Sequence, residues 1–525
     1  MWTQTFGASH RGAQALAVSV EIRTDRGFRF HVTGLPSGSA RDAALRIRSA
    51  LLSSGCRWPR LSCTVNLSPA VAASEAAAFD LPIALALLAA SDQIPVERVK
   101  TVCSLGELRL DGTLCGVHPS YLAAPSAALE AGCTETFLPA HANASGGAWI
   151  PALHLRDIVR HLSGGTALPA VGMPDLEEVL VDREVDLADL TADRHTRLML
   201  VAAAAGNHHV LILGPPGSGK STFLRCLHGL LPSPSLRERA ANERFLGLRG
   251  LPALPSGAVP LRTPHPSTTP EGMLGSFHGT TGIGLIPGEM SLAHGGMLCL
   301  DELAEFPRNV LEALRGPLET GEVHVSRAGG VARIPMACLV GASANPCPCG
   351  YLGEGPARCR CSVAEIEKGL RRLSGPVVDR FTIHLETSSF AEEDAELPAW
   401  LMQSRAAAEV IHAARAEMKQ AGASEPPSPA GREFLRTLRH SLGCTERGRN
   451  SVLAVSRTLL ALDRATAGGV FLGSEREDLE RSALMAAALC RIFDRTSWIE
   501  GARKRNIHRH ERNRTDVPRL HAPHS

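Results

Sequence analysis

The chain has 525 residues, 44% of them apolar and 21% charged, with 55 Lys and Arg against 53 Asp and Glu for a formal net charge of +2. That length exceeds what one hydrophobic core supports and predicts two to four domains, while the composition excludes a chain disordered along most of its length. The 14 cysteines are too dilute for a disulfide scaffold and read as reduced.

No basic stretch followed by an apolar segment opens the chain, and the apolar run at 81–90 is short and contains Pro82. The expectation is a cytoplasmic protein with no membrane partner. Residues 1–162 alternate β-like runs, at 17–22 and 63–67, with a helical stretch at 40–53, as an α/β module would. Small residues and prolines break the periodicity over 163–175, a linker. A second α/β domain is expected over 176–390 and a helical lid over 395–495, with helices at 400–421, 430–442, 448–467 and 476–493. Residues 496–525 carry Arg503, Lys504, Arg505, Arg509, Arg512 and Arg514 without apolar periodicity, and read as a flexible basic tail.

The apolar run Val210, Leu211, Ile212, Leu213 leads into Gly214, Pro215, Pro216, Gly217, Ser218, Gly219, Lys220 and Ser221, and a helical pattern follows. Strand, glycine loop and helix in that order form a phosphate-binding loop. The glycines let backbone N–H groups surround phosphates, Lys220 offsets charge on the β and γ phosphates of ATP, and the Ser221 hydroxyl can ligate Mg²⁺. Lysine is rare, Lys100, Lys220, Lys368, Lys419 and Lys504 being its whole complement, so a chance match is improbable.

Downstream, the apolar run 297–300 ends in Asp301 and Glu302, as when a buried parallel strand delivers acids to its C-terminal end. Asp301 is expected on Mg²⁺ through water, and Glu302 on the attacking water. A further apolar run, 338–344, ends at Asn345, whose amide can help hold that water. Arg380, beside Asp379, can reach a neighbouring subunit's γ-phosphate, and Arg447 is a second arginine presented by the lid; for both the plain alternative is a surface ion pair. Cys347 and Cys349 with Cys359 and Cys361 form two CxC pairs across a short loop. Four thiolates this close suit tetrahedral Zn²⁺, with a reduced thiol cluster or redox chemistry as open alternatives.

In this order the motifs resemble the ComM/YifB family of magnesium-chelatase-like AAA+ ATPases, across nearly all of residues 1–495. The residues that carry the likeness are 214–221, 287–294, 300–306, Leu314 with 321–327, and 345–351. The resemblance implies an AAA+ core with a pre-sensor hairpin at 322–334, Asn345 as sensor 1, Arg380 as arginine finger and Arg447 as sensor 2. It also implies an N-terminal α/β domain with the fold of the Lon protease domain, carried by Gly34 to Pro36, Val65 to Leu67, Ala78 to Pro82 and Gly106 to Gly112. The aligned nucleophile position holds Ala78, and no lysine lies between Thr101 and Ala167, which argues against a Ser-Lys peptidase. Thr263 to Pro266 departs from the family pattern where a paired histidine is usual.

What the resemblance implies in function is a hexameric ring that binds single-stranded or branched DNA and acts as a helicase or branch-migration factor in recombination of incoming DNA during natural transformation. His324, Arg327 and Arg333 of the hairpin could follow a phosphate backbone. Two other readings stay open: the ATPase subunit of a magnesium-porphyrin chelatase, and a nucleotide-gated scaffold that assembles without turnover.

Overall fold

The computed structural model describes residues 1–489 apart from 12–13, 72–74, 116–123, 141–147, 172–184, 250, 253, 256, 278–284, 328–329, 353–357, 374, 388–396, 421–426, 442–444 and 467–475. The basic tail at 496–525, residues 490–495 of the expected lid and the end of the expected linker at 172–175 therefore lie outside the described residues. Among the described residues no helix is long and apolar enough to cross a membrane.

The N-terminal sheet is mixed and has seven strands in the order β3-β4-β2-β1-β5-β6-β7. They are β1 (Trp2–Arg11), β2 (Gln14–Asp25), β3 (Phe30–Thr33), β4 (Ser62–Ser68), β5 (Val102–Ser104), β6 (Glu135–Pro139) and β7 (Ile150–Ala152). The antiparallel partners β1, β2 and β4 make one half, and β5, β6 and β7 extend it in parallel from β1. Apolar alternation does not announce β1, because its buried face carries Thr3 and Thr5. The Thr5 hydroxyl donates to the Val102 carbonyl at 3.0 Å, which removes the cost of burying it.

Helix α1 (Ser37–Ser53) and helix α2 (Asp80–Ala90) support this sheet, and every residue of α2 is buried. A helix apolar nearly all round has no solvent face and must lie inside. Its single charge, Asp80, is fully buried and takes two bonds from the Arg46 guanidinium of α1, at 2.6 and 3.0 Å. Part of the stretch expected as linker folds back on this domain. Trp149 and Val171 exchange backbone hydrogen bonds of 3.2 and 2.8 Å, and the Leu168 N–H donates to His161.

The second sheet is parallel throughout, in the order β16-β8-β15-β12-β9. Its strands are β8 (Val210–Leu213), β9 (Leu261–Arg262), β12 (Met297–Leu300), β15 (Leu339–Ala344) and β16 (Ile383–Glu386). Two hairpins, β10 (Gly275–Phe277) with β11 (Leu285–Pro287) and β13 (Glu322–Arg327) with β14 (Gly330–Pro335), project from the connections. Strands β8 and β15 are buried along their whole length, as parallel strands covered on both faces must be.

Helix α3 (Arg194–Gly206) precedes β8, and α4 (Lys220–Leu230) follows it; α5 (Arg308–Thr320) precedes the β13/β14 hairpin, and α6 (Val363–Arg372) lies between β15 and β16. The C-terminal helices are α7 (Ser404–Gln420), α8 (Pro429–Ser441), α9 (Glu446–Ala465) and α10 (Arg476–Leu489), whose apolar faces share one core with α3 and α4. The helix expected at 400–421 is broken at Gln403, which is extended so that the Ser404 N–H reaches the Asp186 carboxylate at 3.2 Å. Arg197 of α3 is buried and donates to four carbonyls, of Leu187, Leu190, Ala192 and Leu401, joining the entry of the domain to the start of the helical region.

His208, just before β8, is buried and shares a 2.8 Å hydrogen bond with the Thr458 hydroxyl of α9. Burial, and the neighbouring His209, push its pKa down to about 4. In the unfolded chain the ring protonates near pH 6.5, so its contribution to stability is complete above that value and is lost as pH falls toward 4. Denaturant unfolding followed from pH 7.5 to pH 4 should show that decline, and His208→Asn, which cannot titrate, should reduce it, the remainder belonging in part to His209, whose pKa burial also lowers to about 4.

Candidate functional site

Strand β8 ends at the glycine loop, and the loop's shape follows from two residues with positive φ, Gly217 at 77° and Gly219 at 78°. Only glycine takes that conformation without strain. Gly214 is needed for a different reason: a Cβ there would lie 2.0 Å from the Thr387 hydroxyl and 2.7 Å from its carbonyl oxygen. The loop delivers Lys220 and Ser221 into the first turn of α4, whose free N–H groups favour anions. The Lys220 ammonium donates to the carbonyls of Gly214 and Pro215, at 2.9 and 2.7 Å. Burial lowers its pKa, and Asp301 and Glu302 oppose that shift. Ser218 donates to the Pro215 carbonyl at 2.9 Å and shares a 2.7 Å bond with the Thr387 hydroxyl.

Strand β12 carries Asp301 and Glu302 to the same end of the sheet. The Ser221 hydroxyl donates to Asp301 Oδ2 at 2.8 Å, so a hydroxyl and a carboxylate converge next to the loop. Hard oxygen donors of this kind fit Mg²⁺. Ser343 of β15 ties the acids together, donating to Asp301 Oδ1 and accepting the Glu302 N–H at 3.0 Å. Glu302 has φ 55°, a left-handed conformation uncommon for a residue with a side chain, and such strain clusters at functional positions. Ser343 escaped the sequence reading, although a lone serine inside the fully buried β15 is the mark by which it could have been found. Ala344 pairs with Leu213 and its carbonyl accepts the Gly214 N–H at 3.3 Å, which brings Asn345 beside the start of the loop.

The four cysteines come together. Sγ–Sγ distances are 3.4 Å for Cys347–Cys349, 3.9 Å for Cys347–Cys359 and 3.7 Å for Cys349–Cys359, and all four sulfurs, that of Cys361 included, lie within 4.8 Å of one another. Zn–S bonds of about 2.3 Å in a tetrahedron separate sulfurs by roughly 3.8 Å, so the donor set fits and the cluster could hold Zn²⁺. The cysteine turn also braces the glycine loop, because an ideal Cβ on Gly350 would lie 2.4 Å from Pro216 Cδ.

Arg380 and Arg447 gather elsewhere. Strand β16 pairs Ile383 with Val210 and Glu386 with Leu213, so Arg380, which precedes β16, lies at the end of the sheet where β8 begins. The glycine loop lies at the other end, and four residues of strand put about 13 Å between them. Arg380 binds Glu319 at 2.5 Å, and Arg447, in the first turn of α9, binds the same carboxylate at 2.6 Å. Gly214 to Ser221, Asp301, Glu302 and Asn345 thus form one group, and the two arginines form a second. Glu319 is the residue common to the second pair, and no sequence motif marks it.

Two family signatures match the chain: "Magnesium chelatase, subunit ChlI" over residues 186–395 and "Subunit ChlI of Mg-chelatase" over residues 20–142. The chain is 37% identical over 400 residues to the competence protein ComM of Haemophilus influenzae, covering 73% of this chain and 75% of that protein. It is 35% identical over 387 residues to YifB of Escherichia coli K12, covering 71% and 74%, and 32% identical over 488 residues to Rv2897c of Mycobacterium tuberculosis, covering 87% and 93%. Because Gly350 has φ 83° and abuts Pro216, Gly350→Ala should displace the glycine loop and weaken nucleotide binding by about 10-fold, a change of roughly 1.4 kcal/mol. Titration with a fluorescent ATP analogue measures it, and an unchanged melting temperature separates it from unfolding.

Proposed function

The chain belongs to the magnesium-chelatase ChlI-like family, with ComM and YifB as homologues, and from that premise we propose that it is a ring-forming, ATP-driven motor acting on single-stranded or branched DNA. The family implies an ATPase that uses Mg²⁺. The finer reading is a helicase or branch-migration factor in recombination of incoming DNA, and the word competence in the name of the Haemophilus relative supports it.

One observation carries the ring: Arg380 and the glycine loop of its own subunit stand at opposite ends of a parallel sheet. An arginine so placed cannot serve its own nucleotide and is available to a neighbour's. On this reading Lys220 and the loop N–H groups bind the phosphates, and Ser221 and Asp301 would hold Mg²⁺, which supplies charge neutralisation on the phosphate oxygens. Glu302 accepts a proton from the attacking water, Asn345 orients that water, and Arg380 of the adjoining subunit stabilises charge at the transferred phosphoryl group. The exposed His324 and Arg333 of the β13/β14 hairpin are the residues proposed to follow the DNA backbone; the side chain of Arg327 lies outside the described residues. We further propose that the N-terminal domain has the Lon-protease fold without its chemistry, in keeping with Ala78 at the aligned nucleophile position.

ATP turnover measured alone, with single-stranded DNA and with a four-way junction should rise several-fold with DNA, and Glu302→Gln should lose at least about 10²-fold in turnover while still binding nucleotide. No stimulation by any DNA, together with stimulation by porphyrin-chelatase partner subunits, would replace the motor with metal insertion. For the cysteines we propose structural Zn²⁺. Elemental analysis of the purified protein should find about one zinc per chain, and Cys359→Ser should lose it together with thermal stability.

A further inference from the structure

We propose that Glu319 is a positioning residue for the interface half of the site, holding Arg380 of the core and Arg447 of the helical region as one rigid pair. The inference rests on the reading of Arg380 as the residue donated to a neighbouring subunit.

Glu319 lies in the last turn of α5. Its Oε2 accepts from Arg380 Nη2 at 2.5 Å, and its Oε1 accepts from Arg447 Nη2 at 2.6 Å. Arg380 is held on two further sides, donating through Nε to the Arg315 carbonyl at 2.7 Å and through Nη1 to the Pro376 carbonyl at 2.5 Å. A guanidinium has five N–H groups, so these three bonds leave two without a partner among the described residues. Its side chain is only 7% exposed, and the orientation of those two donors is therefore set by the bonds already made.

The second arginine arrives from a different part of the chain. Arg447 also faces Asp379 Oδ2 at 3.5 Å. The hydroxyl of Thr445, which caps α9, donates to Asp379 Oδ1 at 3.2 Å. Two guanidinium cations on the two oxygens of one carboxylate repel each other, and the negative charge between them offsets that repulsion. Among the described residues, the carboxylates in ion pairs with the two arginines include Glu319 from α5 and Asp379 from the turn before β16. Glu319 bonds both arginines, and the two arginines hold its carboxyl below the usual carboxylate range.

An isolated exposed ion pair contributes little. This arrangement differs because one of its cations is nearly buried and bonded to two carbonyls besides, and because the carboxylate joins α5 to α9. Movement of α9 is thereby transmitted to Arg380, so the helical region and the interface arginine change position together.

The test uses the full-length protein with Glu319→Ala, Glu319→Gln, Arg380→Ala and the double variant Glu319→Ala/Arg380→Ala, reading kcat and KM for ATP, assembly by sedimentation, and melting temperature. The expected result is a kcat lower by about 10-fold or more in Glu319→Ala with KM within about 2-fold. The double variant should be no slower than Arg380→Ala. Glu319→Gln, which keeps one acceptor oxygen, should lose less. Unchanged or increased kcat in both Glu319 variants, or losses that multiply with Arg380→Ala, overturn the proposal. Where Glu319→Ala fails to fold or assemble, the same criteria apply to Glu319→Gln. If Arg380→Ala turns over ATP at the unaltered rate, the interface reading falls and the positioning role with it. If Arg380→Ala is inactive and both Glu319 variants are normal, only the positioning role falls.

Discussion

Parallel strands all point the same way, and the organisation of the second domain depends on that direction. Whatever follows β8, β12 and β15 in sequence collects at one end of the sheet: the glycine loop, the acid pair and Asn345. Whatever precedes β16 collects at the other end, and Arg380 is there. The bonds of the ladder set the register between these strands, so the reactive groups are aligned by backbone geometry before any side chain contributes.

Within that frame a few side chains supply the finer alignment. Ser343 holds Asp301 and the Glu302 backbone from the adjacent strand, and the left-handed Glu302 is the local cost of turning its carboxylate where the strand ends. On the other flank, the turn of Cys347 to Gly350 leans on Pro216. The cluster that could hold Zn²⁺ is thus in contact with the loop rather than remote from it, so its state bears directly on how firmly the loop is held.

The helical region is joined to the sheet at several points far apart in sequence. Arg197 caps carbonyls from both sides, His208 meets Thr458, and Glu319 meets Arg447. The first two are buried polar contacts in an apolar seam, where losing one partner leaves the other unsatisfied, and the third is an exposed ion pair beside it. Such contacts favour one placement of the helices over many that would bury similar apolar area.

The sequence by itself determined whatever depends on neighbouring residues. A glycine loop needs glycines at set spacings, an amphipathic helix needs its period, and a buried parallel strand needs an uninterrupted apolar run; each of these is written within 10 to 20 residues. The glycine loop, Asp301, Glu302, the two CxC pairs and the helices of the C-terminal region were legible for that reason. Strand β1 was not, because Thr3 and Thr5 hide its buried face, and neither was the break at Gln403, which Asp186 imposes from 217 residues away in the chain through Ser404 and its neighbour Leu187. Ser343 and Glu319 belong to no motif; their roles arise only when β15 is laid beside β12, and when α5 brings its last turn to α9. Tertiary structure alone decided that the loop and Arg380 occupy opposite ends of one sheet, because strand direction and order are properties of the assembled ladder and of no single segment.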